Sequence, residues 1–374
     1  MTKHYLGALL FITFISTIGH GQAPPSVVVV SPADLTVPPG FKTSVFASGL
    51  SGARLMAVSP EGILLVARRP RNEVVALPDR NKDGSAEPEV ILSNLPNAHS
   101  LAFKDGFLYI ATTPAVMRVK WVNGRPSGDP EKFADLPSST PSVHVSRTIN
   151  VGPDGRLYVA IGSSCNVCVE SDPRRTTIQV MNADGSLQPY ARGLHNAIGF
   201  DWDPQTRRMW ADDTGQDNLG DDFPPDEINQ IEAGKHYGFP FFVAKNQPNA
   251  SQPELNDAKP DTTADAAVPP ALDLPAHITG MDLRFYTGAQ FPASYRNALF
   301  LALHGSARKN NGYKVVRVVM KDGRPSGFED FVVGFLKDGV VMGRPAGLAT
   351  GADGALYVSD DNKGFIYRVA YGDK

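Results

Sequence analysis

The chain has 374 residues, 36 of them lysine or arginine and 39 aspartate or glutamate, for a formal net charge of −3 at pH 7. That balance excludes the basic stripe of a nucleic-acid binder and the acidic tail of a solvating arm. Its 35 glycines and 31 prolines fit many turns and short strands, and at this length one large all-β domain is as admissible as two smaller ones.

The N-terminus reads MTKHYLGALLFITFISTIGHGQAPP. Lys3 and His4 make a short basic start, and Leu6 to Ile18 form an apolar core too short to span a bilayer comfortably as a helix. Gly19-His20-Gly21 then offers a small-x-small cleavage signal before Gln22. This predicts a signal peptide over residues 1–21 and a periplasmic or secreted protein, with an uncleaved anchor as the alternative. No later stretch is apolar enough for stable membrane insertion.

Beyond it, one unit recurs: SPEGILLVARR from 59, KDGFLYIATT from 104, GPDGRLYVAIG from 152 and GADGALYVSDD from 351. Each is a tight turn ending in glycine, which supplies the positive φ such turns need, followed by a strand-forming run. DPQTRRMWADDTG from 203 and FPASYRNALFLALHG from 291 are weaker copies. The marker positions Gly62, Gly106, Gly155, Arg207, Asn297 and Gly354 are spaced 44, 49, 52, 90 and 57 residues apart. Propeller blades take roughly 40–50 residues each. Six markers therefore predict an all-β, six-bladed β-propeller over residues 22–374. The polar, proline-rich stretch at about 245–270 is a loop insertion that accounts for the long interval. A two-sheet sandwich is the competitor, but regular copies over some 300 residues favour radial repetition. DRNKDGSAEPEV (79–90) begins like an EF-hand loop but has Val90 at position twelve and no flanking helices, so it reads as a hairpin turn.

Five stretches carry candidate chemistry. PSVHVSRTINVGPDGRLYVAIGSSCNVC (141–168) places His144 ahead of a blade strand, where it could lie on the loop-bearing rim. A histidine suits proton abstraction near neutrality; a surface or capping histidine is the plain alternative. Val169 follows Cys165 and Cys168, which rules out a Cys-x-x-Cys-His haem anchor. One cysteine pair offers too few zinc ligands, and there is no βαβ context for a thioredoxin-like motif. A disulfide staple in a loop is the preferred reading. ARGLHNAIGF (191–200) gathers Arg192, His195 and Asn196 between glycines, and could equally be an ordinary inter-blade turn. Residues 212–227 hold seven acidic side chains, among them Asp226-Glu227. Such loops are usually just solvated, yet calcium wants several oxygen ligands, backbone carbonyls included. Arg308 and Arg344 lie at blade connections and, converging on an axis, would suit a ligand with several carboxylates.

In this order, HVSRTINVGPDGRLYVAIGSSCNVC, ARGLHNAIGF, GDDFPPDEINQIEAGKHYGFPF, LPAHITGMDLRFYTGAQFP, ALHGSARKNNGYKVVRV and GRPAGLATGADGALYVSDD resemble the glucose/sorbosone dehydrogenase family. These are exported six-bladed propellers that use pyrroloquinoline quinone (PQQ), and the L-sorbosone branch is nearest. The resemblance implies His144 as the base that takes the substrate's hydroxyl proton while hydride passes to the quinone. It implies Ca2+ as a Lewis acid on the quinone carbonyls. Gly215 and Gln216 match the pair whose carbonyls hold calcium, with Asp226 and Glu227 as further candidate ligands. Asn196 and Arg344 match cofactor-binding residues. Three departures stand out: His195 occupies a position that is arginine in the glucose enzymes, Ala346 replaces a second arginine, and the family's lysine contact has no clear equivalent unless Arg308 substitutes. The implied activity is oxidation of an aldose or sorbosone-like sugar. Without a haem motif in this chain, electrons would pass to a separate cytochrome or quinone. A calcium-dependent lactonase-like hydrolase, with calcium held mainly by side chains, and a non-catalytic binding propeller are the competing functions.

Overall fold

The computed structural model describes residues 32–138, 142–249, 252–255, 257–306 and 311–372. The expected signal peptide (1–21) and Arg308 lie outside the described residues. What is described is built from six four-stranded antiparallel sheets, two two-stranded ladders and three short 3-10 turns. Among the described residues no helix is long and apolar enough to cross a membrane.

Each sheet is one blade, and its first two strands flank one of the recurring turns. In the third blade Arg147–Val151 pairs with Leu157–Ile161, and the turn between them closes through Gly155 N–H to the Gly152 carbonyl at 2.8 Å. All six marker positions have positive φ, from 56° at Asn297 to 85° at Gly62. The two weak copies thus make the same bend with Arg207 and Asn297 as the others make with glycine. The second strand of each blade is an almost uninterrupted apolar run because both its faces are covered by neighbouring blades. Leu157–Ile161, Leu299–Leu303 and Leu356–Asp360 are buried throughout.

Six apolar clusters fill the six gaps between adjacent blades. Between the fourth and fifth blades, for example, Trp210 and Ile228 pack on Leu283 and Leu301. At about 1.5–3 kcal/mol for each fully buried large side chain, these gaps carry the stability of the ring. The first strands are Ala53–Val58, Ser100–Lys104, Arg147–Val151, Phe200–Trp202, Gly280–Phe285 and Pro345–Thr350. Each lies against the next and the last against the first, so they form the innermost ring. The ring closes with a strand from the other end of the chain: Phe41–Ala47 pairs with Phe365–Tyr371 as the outer strand of the sixth blade.

The insertion follows the third strand of the fourth blade, Asp226–Ile231, and ends before its outer strand, Leu272–Leu274. Asn246 ties it down by donating to the carbonyls of Ala264 and Ala267. Residues 79–84 form the expected hairpin turn, and Asp79 accepts from the amides of Asp83 and Gly84. In an antiparallel blade, the connection entering the first strand and the one between the second and third strands share an end. His144, His195, Asn196, Gly215 and Arg344 all lie in such connections, so the topology gathers them at one end of the ring.

Candidate active site

His144 stands in the connection entering the third blade. The Arg147 guanidinium fixes that connection by donating to the carbonyls of His144, Ser146 and Pro137 at 2.7–3.0 Å. The imidazole Nδ1 lies 2.8 Å from the Ser163 hydroxyl and 3.1 Å from the Ser163 carbonyl. Its ring meets His195 edge to face, with centroids 4.7 Å apart. Gly162 permits this approach: a Cβ there would collide with Asn196 Oδ1 and press on the His144 Cβ at 3.0 Å. Burial, with His195 against the ring, pushes His144 down to about 3, so it is neutral at physiological pH.

His195 and Asn196 are held by the end of a strand. Asp213, the last residue of Met209–Asp213, accepts the His195 amide at 2.9 Å on one carboxylate oxygen and the Asn196 amide at 2.6 Å on the other. Burial raises Asp213 to about 7. His195 Nδ1 sits 2.6 Å from the Thr214 carbonyl, and Phe239 covers the ring at 4.7 Å. Among the described residues its buried Nε2 has no hydrogen-bond partner. An orphaned polar atom in such a place is a cost unless a ligand takes it.

The Thr214–Gln216 loop follows directly. Asp226 stitches it to the next blade, accepting Gly215 N–H at 2.9 Å and Thr279 N–H at 2.7 Å on its two oxygens. Burial raises Asp226 to about 6. Gln216 is buried and bonded to Asn249 of the insertion at 2.7 Å. Gly215, Gln216 and Glu227 line one small cavity with His195 and Asp213. Of the four candidate calcium ligands, Asp226 accepts a backbone amide on each oxygen, while Gly215, Gln216 and Glu227 border the cavity. Among the described residues, the one group of three acidic, histidine or cysteine side chains within ligating distance is Cys165, Cys168 and Glu170. Those cysteines are joined in a disulfide, as expected.

Arg344 enters from the sixth blade. Its amide donates to Asp360, and its guanidinium lies over the Tyr313 ring at 5.4 Å, 3.3 Å from the hydroxyl. Beside it is a charged group that sequence reasoning missed. Asp361 pairs with Arg54 at 3.0 Å and with His304 at 2.9 Å, and its amide donates to the Arg344 carbonyl. Arg54 also reaches Met281 Sδ at 3.1 Å, and Met281 packs with Ile198 and Ala346. Ala346 is fully buried, and Arg54 brings a cation from the first blade to its neighbourhood. Among the described residues the buried Arg54 Nε has no hydrogen-bond partner. Burial lowers the Arg54 pKa, with Asp361 opposing. The available signal was positional: Arg54 precedes its blade's turn, as His144 and Arg344 precede theirs.

The fold and part of the sequence recur elsewhere. A protein of unassigned function from Borreliella burgdorferi is 36% identical over 246 residues, and the match spans 64% of each chain. The iodide structure of Trichoderma reesei Carbohydrate-Active Enzymes Family AA12 superposes with a TM-score of 0.76 at 20% identity, over 93% of this chain and 100% of that one. The holo form of the pyranose dehydrogenase PQQ domain from Coprinopsis cinerea gives 0.73 at 19% identity, over 90% and 97%. At such identities the structures establish the shared propeller, and nothing in them singles out the sorbosone branch. A family profile described as TrAA12-like matches residues 35–372, almost the whole described propeller, and the chain belongs to that family.

Proposed function

We propose that the protein is an exported quinoprotein dehydrogenase that oxidises a sugar, an aldose or a sorbosone-like aldehyde, using PQQ and Ca2+. The observation that carries this reading is a neutral, half-buried histidine, His144, packed against His195 at the end of the ring that also carries Arg344. Among the described residues the buried His195 Nε2 and Arg54 Nε have no hydrogen-bond partner, and Arg344 lies near enough to Arg54 to help lower its pKa. Arg54 Nε is a donor that a ligand carboxylate would meet, while His195, whose Nδ1 donates to the Thr214 carbonyl, offers an Nε2 lone pair that a ligand N–H or O–H would meet. The described residues fit PQQ: Arg54 and Arg344 as anchors for its acidic groups, and His195 and Asn196 beside its ring. The carbonyls of Gly215 and Gln216, with Glu227, are hard oxygen donors suited to calcium, while Asp226 shapes their loop. When bound, the quinone supplies the two-electron acceptor and calcium polarises its carbonyls.

The chain's own part is proton transfer and orientation. His144 accepts the substrate's hydroxyl proton as hydride departs from the same carbon. As a neutral imidazole it has the free nitrogen lone pair that accepting the proton requires. Electrons leave to a separate cytochrome or quinone. The disulfide and the signal-like N-terminus support a periplasmic or secreted location. The hydrolase alternative calls for a side-chain calcium cage, and among the described residues no three carboxylates lie within ligating distance of one another.

The test is direct. PQQ and calcium are added to purified protein, and dye reduction is followed with a panel of aldoses and sorbosone. Saturable, quinone-dependent reduction is expected. A folded protein that neither binds quinone nor turns over would move the assignment to a hydrolase or a binding propeller.

A further inference from the structure

The connection between the second and third strands of the third blade, residues 162–176, does more than carry a disulfide. Ser163 Oγ lies 2.6 Å from the Cys165 carbonyl, and a carbonyl can only accept. The hydroxyl hydrogen is therefore committed to Cys165. What Ser163 Oγ presents to His144 Nδ1, at 2.8 Å, is a lone pair. The Ser163 carbonyl, a second acceptor, faces the same nitrogen at 3.1 Å. Two acceptors on one ring nitrogen require that nitrogen to carry the hydrogen. His144 is then the Nδ1–H tautomer, and Nε2 holds the free lone pair.

The geometry of this arrangement depends on where the Cys165 carbonyl sits, and the loop is closed at several points. Cys165 is bonded to Cys168. Glu170 accepts the Ser164 amide at 2.5 Å and the Ser164 hydroxyl at 2.8 Å. Asn166 exchanges hydrogen bonds with the Asp217 backbone, at 3.0 and 2.7 Å, linking the loop to the segment that follows Gly215 and Gln216.

We propose that Ser163 is a positioning residue for His144, its hydroxyl aimed by the carbonyl of the disulfide-closed Cys165 so that Nδ1 is fixed as donor and Nε2 is left as the proton acceptor. The cysteine pair then acts on the site through one hydroxyl. Reducing it releases the Cys165 carbonyl and frees the serine to donate to the imidazole instead, which favours the wrong tautomer. This inference rests on the proposed role of His144 as base.

The experiment reads the tautomer in protein labelled with 15N-histidine, without quinone or sugar, using two-bond proton–nitrogen spectra with His144→Gln for assignment. The wild type at pH 7 is expected to show His144 as a single Nδ1–H form. Ser163→Ala should give a mixture with Nε2–H, and Ser163→Thr, which keeps the hydroxyl, should restore the single form. Reducing the disulfide in the wild type should reproduce the Ser163→Ala spectrum and add nothing in Ser163→Ala. It also provides the readout if that variant does not fold. A pure Nδ1–H signal in both Ser163→Ala and the reduced wild type would overturn the proposal, as would additive effects of the two perturbations. In turnover, Ser163→Ala should lower kcat about tenfold at unchanged KM. A wild type that shows the tautomer but reduces no dye would refute the dehydrogenase reading and leave the positioning intact.

Discussion

At the scale of single residues, His144 concentrates the prediction. It is half-buried, pressed against His195 and neutral, so its removal should cost the proton-transfer step and little else. His144→Ala is expected to lower kcat by about 10²–10⁴-fold while the quinone dissociation constant stays nearly unchanged, measured by steady-state kinetics and quinone titration. Arg54 makes the opposite split. Arg54→Gln should weaken quinone binding by roughly 10–100-fold, the loss of one or two charge-assisted hydrogen bonds, and should move kcat less once the enzyme is saturated. If Arg54→Gln leaves the dissociation constant unchanged, the guanidinium serves only Asp361 and Met281. These residues were unequally legible. His144 and Arg344 sat in quotable motifs. Arg54, in the plain run LSGARLMAVSP, became visible once Asp361 and Ala346 were known to be its neighbours.

At the scale of elements, the strand Phe41–Ala47 holds the ring shut. Phe41 meets Phe291, Tyr295, Phe331 and Tyr371 with centroids 4.8–5.1 Å apart, so one side chain joins the N-terminal strand to the fifth and sixth blades. Phe41→Ala should cost about 3–5 kcal/mol of unfolding free energy, read as a lower denaturant midpoint. A loss below about 1 kcal/mol would mean that the blade interfaces hold the ring without this closure. The turn-and-strand copies were readable in sequence because a positive φ and a doubly covered strand each demand particular residue types. The closing strand was not, because FKTSVFA alternates like any edge strand and names no partner. The disulfide lies between these cases. Its spacing limited the alternatives, but its hydrogen-bonded path to His144 through Ser163 depends on a loop conformation that spacing does not specify.

At the scale of the whole molecule, two sets of buried groups oppose one another as pH changes. Burial raises Asp213 to about 7 and Asp226, Asp282 and Asp360 to about 6. Between the ordinary aspartate value and these, the native state holds more protons than the unfolded chain, so their contribution falls as pH rises from about 4 to 7. His144 runs the other way. Its native value near 3 lies below the ordinary histidine value of 6.5, so the unfolded chain binds the extra proton and stability rises with pH across that window. The difference in melting temperature between wild type and His144→Ala, measured calorimetrically without quinone, should therefore grow from pH 4 to 6.5 and level off above. A difference independent of pH would mean that the ring titrates as an exposed histidine does. The sequence by itself determined the blade count, the turn chemistry and the small set of connections that could bear function, because each is a local constraint repeated along the chain. Tertiary structure alone decided which side chains share a site. Asp213 reaching back to two amides, Gly162 admitting Asn196 beside His144, and Arg54 arriving next to Ala346 all arise from ring closure, which brings together residues that no local spacing relates.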